Sequence, residues 1–229
     1  MAGRVYAITG AYGVLGSAVA TAAAAQGTRL ALIDFAAAPA GPLPAGALLL
    51  GGVDLTDPAS AKAALDSAAD KLGGVDGLIN IAGGFRWETL EGGDPDSWPA
   101  LYRMNVLTAA NASRAAIPHL RKSAAGRIVN IGANGAMKAA MGMGAYAASK
   151  AGVHKLTEAL AEELKGDGIT VNAVLPSIID TPTNRADMPD ADPKHWVSPH
   201  DLARVIAFLA SDAARAMHGA SVPVTGLSG

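Results

Sequence analysis

The 229-residue chain predicts one α/β domain, a doubly wound parallel sheet of about seven strands with helices on both faces. Three observations predict it. Short apolar runs alternate with longer helical stretches from end to end. The strand-like runs are continuously apolar, as strands buried on both faces must be. No Pro/Gly/Ser linker divides the chain, and its length suits one large domain.

Each element follows from its residues. Residues 4–9 (RVYAIT) read as the first strand, 10–16 as a glycine-rich turn, and 17–26 as a helix of small residues closed by Gly27. Residues 28–34 (TRLALID) are a second strand and 47–53 a third. The Pro/Gly-rich stretch 36–46 between them reads as irregular. Residues 57–72 are helical, with Asp57 as N-cap and Ala64, Leu65, Ala68, Ala69 and Leu72 as an apolar stripe. Strand four is 75–81, a long helix follows over 97–120, and strand five is 127–131. A helix over 145–164, a sixth strand over 169–175, a helix over 199–211 and a last strand over 221–225 complete the pattern. Between strand six and the next helix, 180–197 lacks regular periodicity and reads as a polar lid over a substrate.

Composition narrows the function. Half the residues are hydrophobic and 17% are charged, enough apolar material for a sizeable core. A net charge of −2 gives no reason to expect nucleic acid or an anionic membrane as partner. The uncharged run 35–53 holds Pro39, Pro42 and Pro44 and cannot be a membrane helix. There is no cysteine, which excludes disulfides and thiolate chemistry. The first residues lack a signal-peptide pattern, so the expectation is a cytoplasmic protein. The five histidines are scattered without metal-ligand spacing, and no metal is expected. No Gly-x-Ser-x-Gly elbow is present, which argues against a hydrolase.

Two stretches carry chemistry. Gly10-Ala-Tyr12-Gly13-Val14-Leu15-Gly16 follows the first strand and opens a helix. Glycines allow a tight turn there and let backbone N–H groups approach a pyrophosphate. Asp34 ends the second strand, 18 residues beyond Gly16, where a carboxylate can bind ribose hydroxyls and repel a 2′-phosphate. Phe35 beside it is not basic, so NADH is favoured over NADPH. The second stretch is Tyr146-Ala-Ala-Ser149-Lys150. Four residues on a helix put Tyr146 and Lys150 on one face. A phenol titrates near about 10, and a nearby ammonium is expected to lower that value and ready Tyr146 as a general acid or base. Ser149 points about 100° away from Lys150 and reads as packing or a backbone bond.

These motifs together resemble the short-chain dehydrogenase/reductase family, over essentially the whole chain. The resemblance implies a Rossmann-type fold, a nicotinamide cofactor and a small-molecule substrate. It makes Gly10 to Gly16 the cofactor turn, Asp54-Leu55 the acidic pair near the adenine, and Asn80-Ile81-Ala82-Gly83 the segment after strand four. It implies catalytic roles for Tyr146, Lys150 and Asn105, the last ordering a relay water near Lys150. Pro176, Ile179 and Thr181 would close over the nicotinamide. Family members often form homo-oligomers, dimers or tetramers, which implies the same here.

Three departures stand out. The middle glycine is Gly13, with Val14 where the family usually has glycine. Ile81 replaces a second asparagine. The family's catalytic serine usually lies thirteen residues before the tyrosine, and here that position is Ala133. Asn134 or a water would substitute, or the substrate needs no such donor. The departures resemble the dihydropteridine reductase branch, as do Ala82-Gly83-Gly84, Phe85 with Trp87 nearby, and the run ending at Trp196. Ala133, Asn134, Phe85 and Trp196 are therefore the candidate substrate contacts. Three functions stay open: an NAD(H)-dependent oxidoreductase acting on a small carbonyl or alcohol, reduction of a quinonoid dihydropterin, and nucleotide binding without turnover.

Overall fold

Among the described residues seven strands, β1 (Val5–Thr9), β2 (Arg29–Ile33), β3 (Leu48–Leu50), β4 (Gly77–Asn80), β5 (Arg127–Ile131), β6 (Thr170–Pro176) and β7 (Ser221–Val224), are interspersed with seven helices. The helices are α1 (Val14–Ala24), α2 (Pro58–Leu72), α3 (Ser97–Tyr102), α4 (Thr108–Leu120), α5 (Gly144–Leu164), α6 (Pro182–Asp187) and α7 (Pro199–Leu209). The computed structural model describes residues 3–227. The strands form one parallel sheet in the order β3-β2-β1-β4-β5-β6-β7. The expected doubly wound, single-domain Rossmann-type fold is the one found. The order reverses between β1 and β4, and such sheets bind their ligands outside the strand ends at that switch point.

The pleat of β1 divides the core. Tyr6 and Ile8 point into one layer with Leu15 and Val19 of α1 and Leu202 and Ile206 of α7. Ala7 points into the other, with Leu65 of α2, Ala112 and Ala116 of α4 and Leu160 of α5. Side-chain volumes are matched across strands. Tyr6 stands opposite Gly77, where a Cβ would come within 2.8 Å of the tyrosine ring. Asp57 caps α2 as expected, accepting from the N–H groups of Ala59 and Ser60 at 3.2 and 3.0 Å.

The structure moves several expected boundaries. α1 begins at Val14, so the last residues of the predicted turn form the first turn of the helix. β3 is only three residues long. The predicted long helix over 97–120 is continuous but contains a π turn, Arg103–Leu107, between α3 and α4. The segment 180–197 is not irregular throughout. It holds α6, capped by the Thr181 side chain, and a 3₁₀ turn, Pro193–His195. Its two ends are tied by a bridge between Ile179 and Val197. Pro182 and Pro193 begin these short turns, positions that proline tolerates because no helical N–H is needed there. Among the described residues no helix is long and apolar enough to cross a membrane.

Candidate active site

The switch point is built on Thr9. Its hydroxyl at the end of β1 accepts from the N–H groups of Ile81 and Ala82 at 3.1 and 3.2 Å, which ties the β1 turn to the segment after β4. Gly10 then turns with φ +62, and a Cβ there would come within 2.8 Å of Ala82 N. A Cβ on Gly16 would lie 2.1 Å from Gly10 O, so the start of α1 packs directly on the turn. Gly13 differs, since its Cβ would meet only Gly10 O at 3.5 Å. It is exposed and forms the N-cap of α1 with no side-chain cap. The first-turn amides of α1, Val14 to Gly16, need no helical partner, and the helix dipole makes them an anion cradle. This glycine cradle fits a dinucleotide pyrophosphate.

Asp34 sits beside it and already has work. One carboxylate oxygen accepts from Tyr12 N at 2.8 Å, the other from Ala36 N at 2.9 Å. It therefore holds the turn in place, and each oxygen keeps a second lone-pair direction for another donor. Asp54 is exposed, and its carboxylate lies below the usual range because the Thr56 hydroxyl and N–H donate to it. Leu55 is buried, and its carbonyl accepts from Asn111 Nδ2.

Asn80 does not face the site. It is buried in the sheet, donating to Ser113 Oγ at 3.0 Å and to Asn130 Oδ1 at 2.8 Å. Asn130 in turn donates to Thr157 Oγ1 at 2.9 Å. This polar chain locks β4 and β5 to α4 and α5 beneath the site. Ala82 and Gly83, beyond it, do reach the surface of the switch point.

Asn105, Gly84 and Ser149 form the next layer. Asn105 lies in the π turn, buried, and its Oδ1 accepts from Gly84 N at 2.9 Å. Its Nδ2 donates to Gly84 O at 3.1 Å and to Ser149 Oγ at 2.9 Å. Ser149 Oγ donates to Tyr146 O at 2.7 Å, the backbone bond expected for it. A Cβ on Gly83 would lie 2.5 Å from Asn105 Oδ1 and 3.5 Å from Lys150 Nζ. The end of β4, the π turn and α5 thus meet at one point.

Lys150 is 6% exposed, and its Nζ donates to Ile131 O at 2.7 Å. Burial pushes the ammonium down to about 8. Burial pushes the Tyr146 phenol up to about 12. The expected lowering of the phenol by Lys150 is corrected: desolvation governs the shift of both groups, and Lys150 Nζ is turned to the Ile131 carbonyl. Phe85 meets Tyr146 edge to face, with ring centroids 4.8 Å apart at 83°. Trp87 is held by a bond from Nε1 to Met141 O at 3.0 Å. A cavity of ≈ 350 Å³ adjoins, lined by Leu90, Trp98, Ala140 and Ala145 among others.

Ala133 is buried at the end of β5, with Asn134 opening a 3₁₀ turn after it. His154, set among the scattered histidines by the sequence, proves to be buried behind Ala133 and accepts its N–H at Nε2, 3.3 Å away. Its spacing of four from Lys150 was the available signal. Pro176 is buried at the end of β6, while Ile179 and Thr181 are half-buried at the root of the 180–197 segment. Trp196 is 9% exposed and anchors that segment instead of projecting from it.

Residues 4–192 match the family model described as short chain dehydrogenase. The chain belongs to the short chain dehydrogenase family. Relatives in this family are similar along nearly the full length. Meso-2,3-butanediol dehydrogenase of Serratia marcescens is 31% identical, covering 97% of this chain and 93% of its own. A 3-ketoacyl-(acyl-carrier-protein) reductase of Brucella melitensis, solved with NADH, superposes with a TM-score of 0.87 at 30% identity, covering 98% of both chains. Carveol dehydrogenase of Mycobacterium avium, solved with NAD, gives 0.86 at 28% identity, covering 99% of this chain and 97% of the other. Membership makes the protein an oxidoreductase that works with a nicotinamide cofactor.

Proposed function

We propose that the protein reduces a small carbonyl compound with NADH, with Tyr146 as the proton donor, and oxidises the matching alcohol in reverse. One observation carries this reading. Lys150 and Asn105 meet at Gly83, next to the Ala82 that packs on Gly10 of the cradle, and Tyr146 stands one turn from Lys150 on α5 against Phe85. The bound nicotinamide supplies the hydride for the carbonyl carbon. The chain does the rest. The amides of Val14, Leu15 and Gly16 receive the pyrophosphate, and Asp34 binds the adenosine ribose hydroxyls and excludes a 2′-phosphate. Asp54 and Leu55 border the adenine. Ala82 and Gly83 flank the nicotinamide side, with Pro176, Ile179 and Thr181 closing over it. Lys150 holds the nicotinamide ribose, and Asn105 with Ser149 fixes the backbone around it.

Tyr146 gives its phenolic proton to the substrate oxygen. A phenol pushed up to about 12 stays protonated at neutral pH, which suits an acid acting in reduction. Ala133 offers no side-chain donor, so Tyr146 alone polarises the carbonyl. Excluding water from this buried corner strengthens the effect of that single donor. Segment 180–197 is the substrate lid, hinged at the Ile179–Val197 bridge.

A second reading has one specific observation in its favour. The edge of Phe85 on Tyr146 would suit a flat ring, such as a quinonoid dihydropterin. The rival in which turnover is lost rests on Ala133 alone. The same reading has the protein act in the cytoplasm as a homo-oligomer. The exposed Tyr102, whose ring lies near Gly152 of α5, supports that assembly. Steady-state consumption of NADH against a carbonyl panel that includes a quinonoid dihydropterin tests all of these. Turnover of simple carbonyls supports the reading, turnover of the pterin alone supports the second, and none at all overturns both.

A further inference from the structure

We propose that His154 is a positioning residue, which holds the peptide at Ala133 as a neutral acceptor so that the substrate sits in reach of Tyr146. This rests on the reading above. His154 lies one turn from Lys150 and two from Tyr146 on α5, and is 6% exposed. Its Nε2 accepts from Ala133 N at 3.3 Å. A Cβ on Gly132 would come within 2.5 Å of that same nitrogen, so the ring fills the space a side chain at 132 would need.

Three consecutive residues at the end of β5 are thus each held, two by α5 and one by β6. Ile131 O accepts from Lys150 Nζ at 2.7 Å. Gly132 N donates to Val174 O of β6 at 2.9 Å. Ala133 N donates to His154. The family serine expected at this position would reach a substrate with its hydroxyl. With alanine there, only the placement of the peptide shapes the wall opposite Tyr146. A displacement of about 1 Å at such a wall can cost on the order of 10²-fold in rate.

The bond also fixes the state of the ring. A nitrogen that faces an N–H must carry a lone pair, so the imidazole is neutral with its proton on Nδ1. The charged groups facing it are Lys150, Glu158 and Lys155, all on α5. The residues that β5 and β6 bring against it, Gly132, Ala133 and Leu175, carry no charge. Burial first, then the Lys150 ammonium, holds the imidazole below its ordinary value and keeps it an acceptor at neutral pH.

Two variants test the inference. His154→Leu fills similar space without an acceptor, while His154→Gln can present an amide oxygen near the Nε2 position. Two quantities are measured in each: hydrogen exchange of the Ala133 amide, and kcat and KM with NADH and an accepted carbonyl. The expected result for His154→Leu is amide exchange at least about 10-fold faster, because a protecting bond is gone. Its kcat should fall between about 10- and 100-fold, with KM for NADH within about two-fold. His154→Gln should recover most of both. Unchanged amide exchange in the leucine variant overturns the proposal, and so does an equal kcat in the two variants. A wild-type protein without turnover shows instead that the functional reading has failed, and confines His154 to a structural contact.

Discussion

Lys150 Nζ donates to the carbonyl of Ile131 at 2.7 Å, so the ammonium of α5 is anchored on the end of β5. Burial at that point brings its proton within reach of physiological titration, at about 8. If the charge is needed for reduction, it is present below about 8 and lost above. The reduction rate should therefore fall as pH rises through about 8, far below the ordinary lysine value of 10.5. Lys150→Arg keeps the charge and should remove that alkaline limb, at some cost in fit. A pH profile of kcat/KM from 6 to 10 checks this, and a wild-type rate flat to pH 10 contradicts it. Stability runs the other way. Between about 8 and 10.5 the unfolded chain holds a proton that the folded chain lacks, so this site destabilises the fold less as pH rises.

Asp34 should make NADH bind more tightly than NADPH by roughly ten- to a thousand-fold, the range of a badly paired charge in a site. The structure adds that an alanine at this position also strips acceptors from Tyr12 N and Ala36 N. Asp34→Asn is the cleaner variant, since it keeps an acceptor oxygen while removing the charge. It should narrow the preference, as read by titration with both cofactors. Equal affinities in the wild-type protein would refute the assignment.

The glycine cradle gives a matched pair. Gly16→Ala places a methyl group 2.1 Å from Gly10 O, so it should cost about 1–3 kcal/mol of stability through overpacking. Gly13→Ala meets only one atom, at 3.5 Å, and should leave stability nearly unchanged while weakening NADH binding, because its methyl group enters the cradle. Denaturant melts and NADH titrations separate the two. A Gly13→Ala protein as unstable as Gly16→Ala would show that the turn is shaped by packing alone.

The lid should close over bound ligand. Arg185 holds Asp180 with two bonds at 2.6 and 2.9 Å, and Asn184 Nδ2 donates to Ile179 O at 2.8 Å, so the root of the segment is ordered while its exposed middle is held by little. Cleavage between Arg185 and Lys194 should slow when NADH and substrate are added together. Equal rates with and without them argue against a lid.

How much of this was legible in the sequence differs from residue to residue. β1 and the Gly10–Gly16 turn were readable because apolar runs and glycines act locally. The start of α1 at Val14 was not, because Val14 to Gly16 serve as both turn and helix. The π turn around Asn105 leaves the helical periodicity of 97–120 almost unmarked, so it was hidden. The side-chain partners of Asn80 could not be read locally, since Ser113 and Asn130 are 33 and 50 residues away. The same holds for His154 and Ala133, which only the fold brings together. The balance between Tyr146 and Lys150 was misjudged because spacing reveals who is near, and burial decides which protonation state is favoured.

The central claim is that Tyr146 carries the proton, and Tyr146→Phe tests it most directly. The substitution keeps the ring and its edge contact with Phe85 and removes only the hydroxyl. Turnover with NADH and an accepted carbonyl should fall by at least about 10²–10⁴-fold, the usual worth of a general acid. NADH affinity, measured on the same preparation, should stay close to the wild-type value. A Tyr146→Phe protein that binds NADH normally and turns over at the wild-type rate contradicts the account, whichever substrate it accepts.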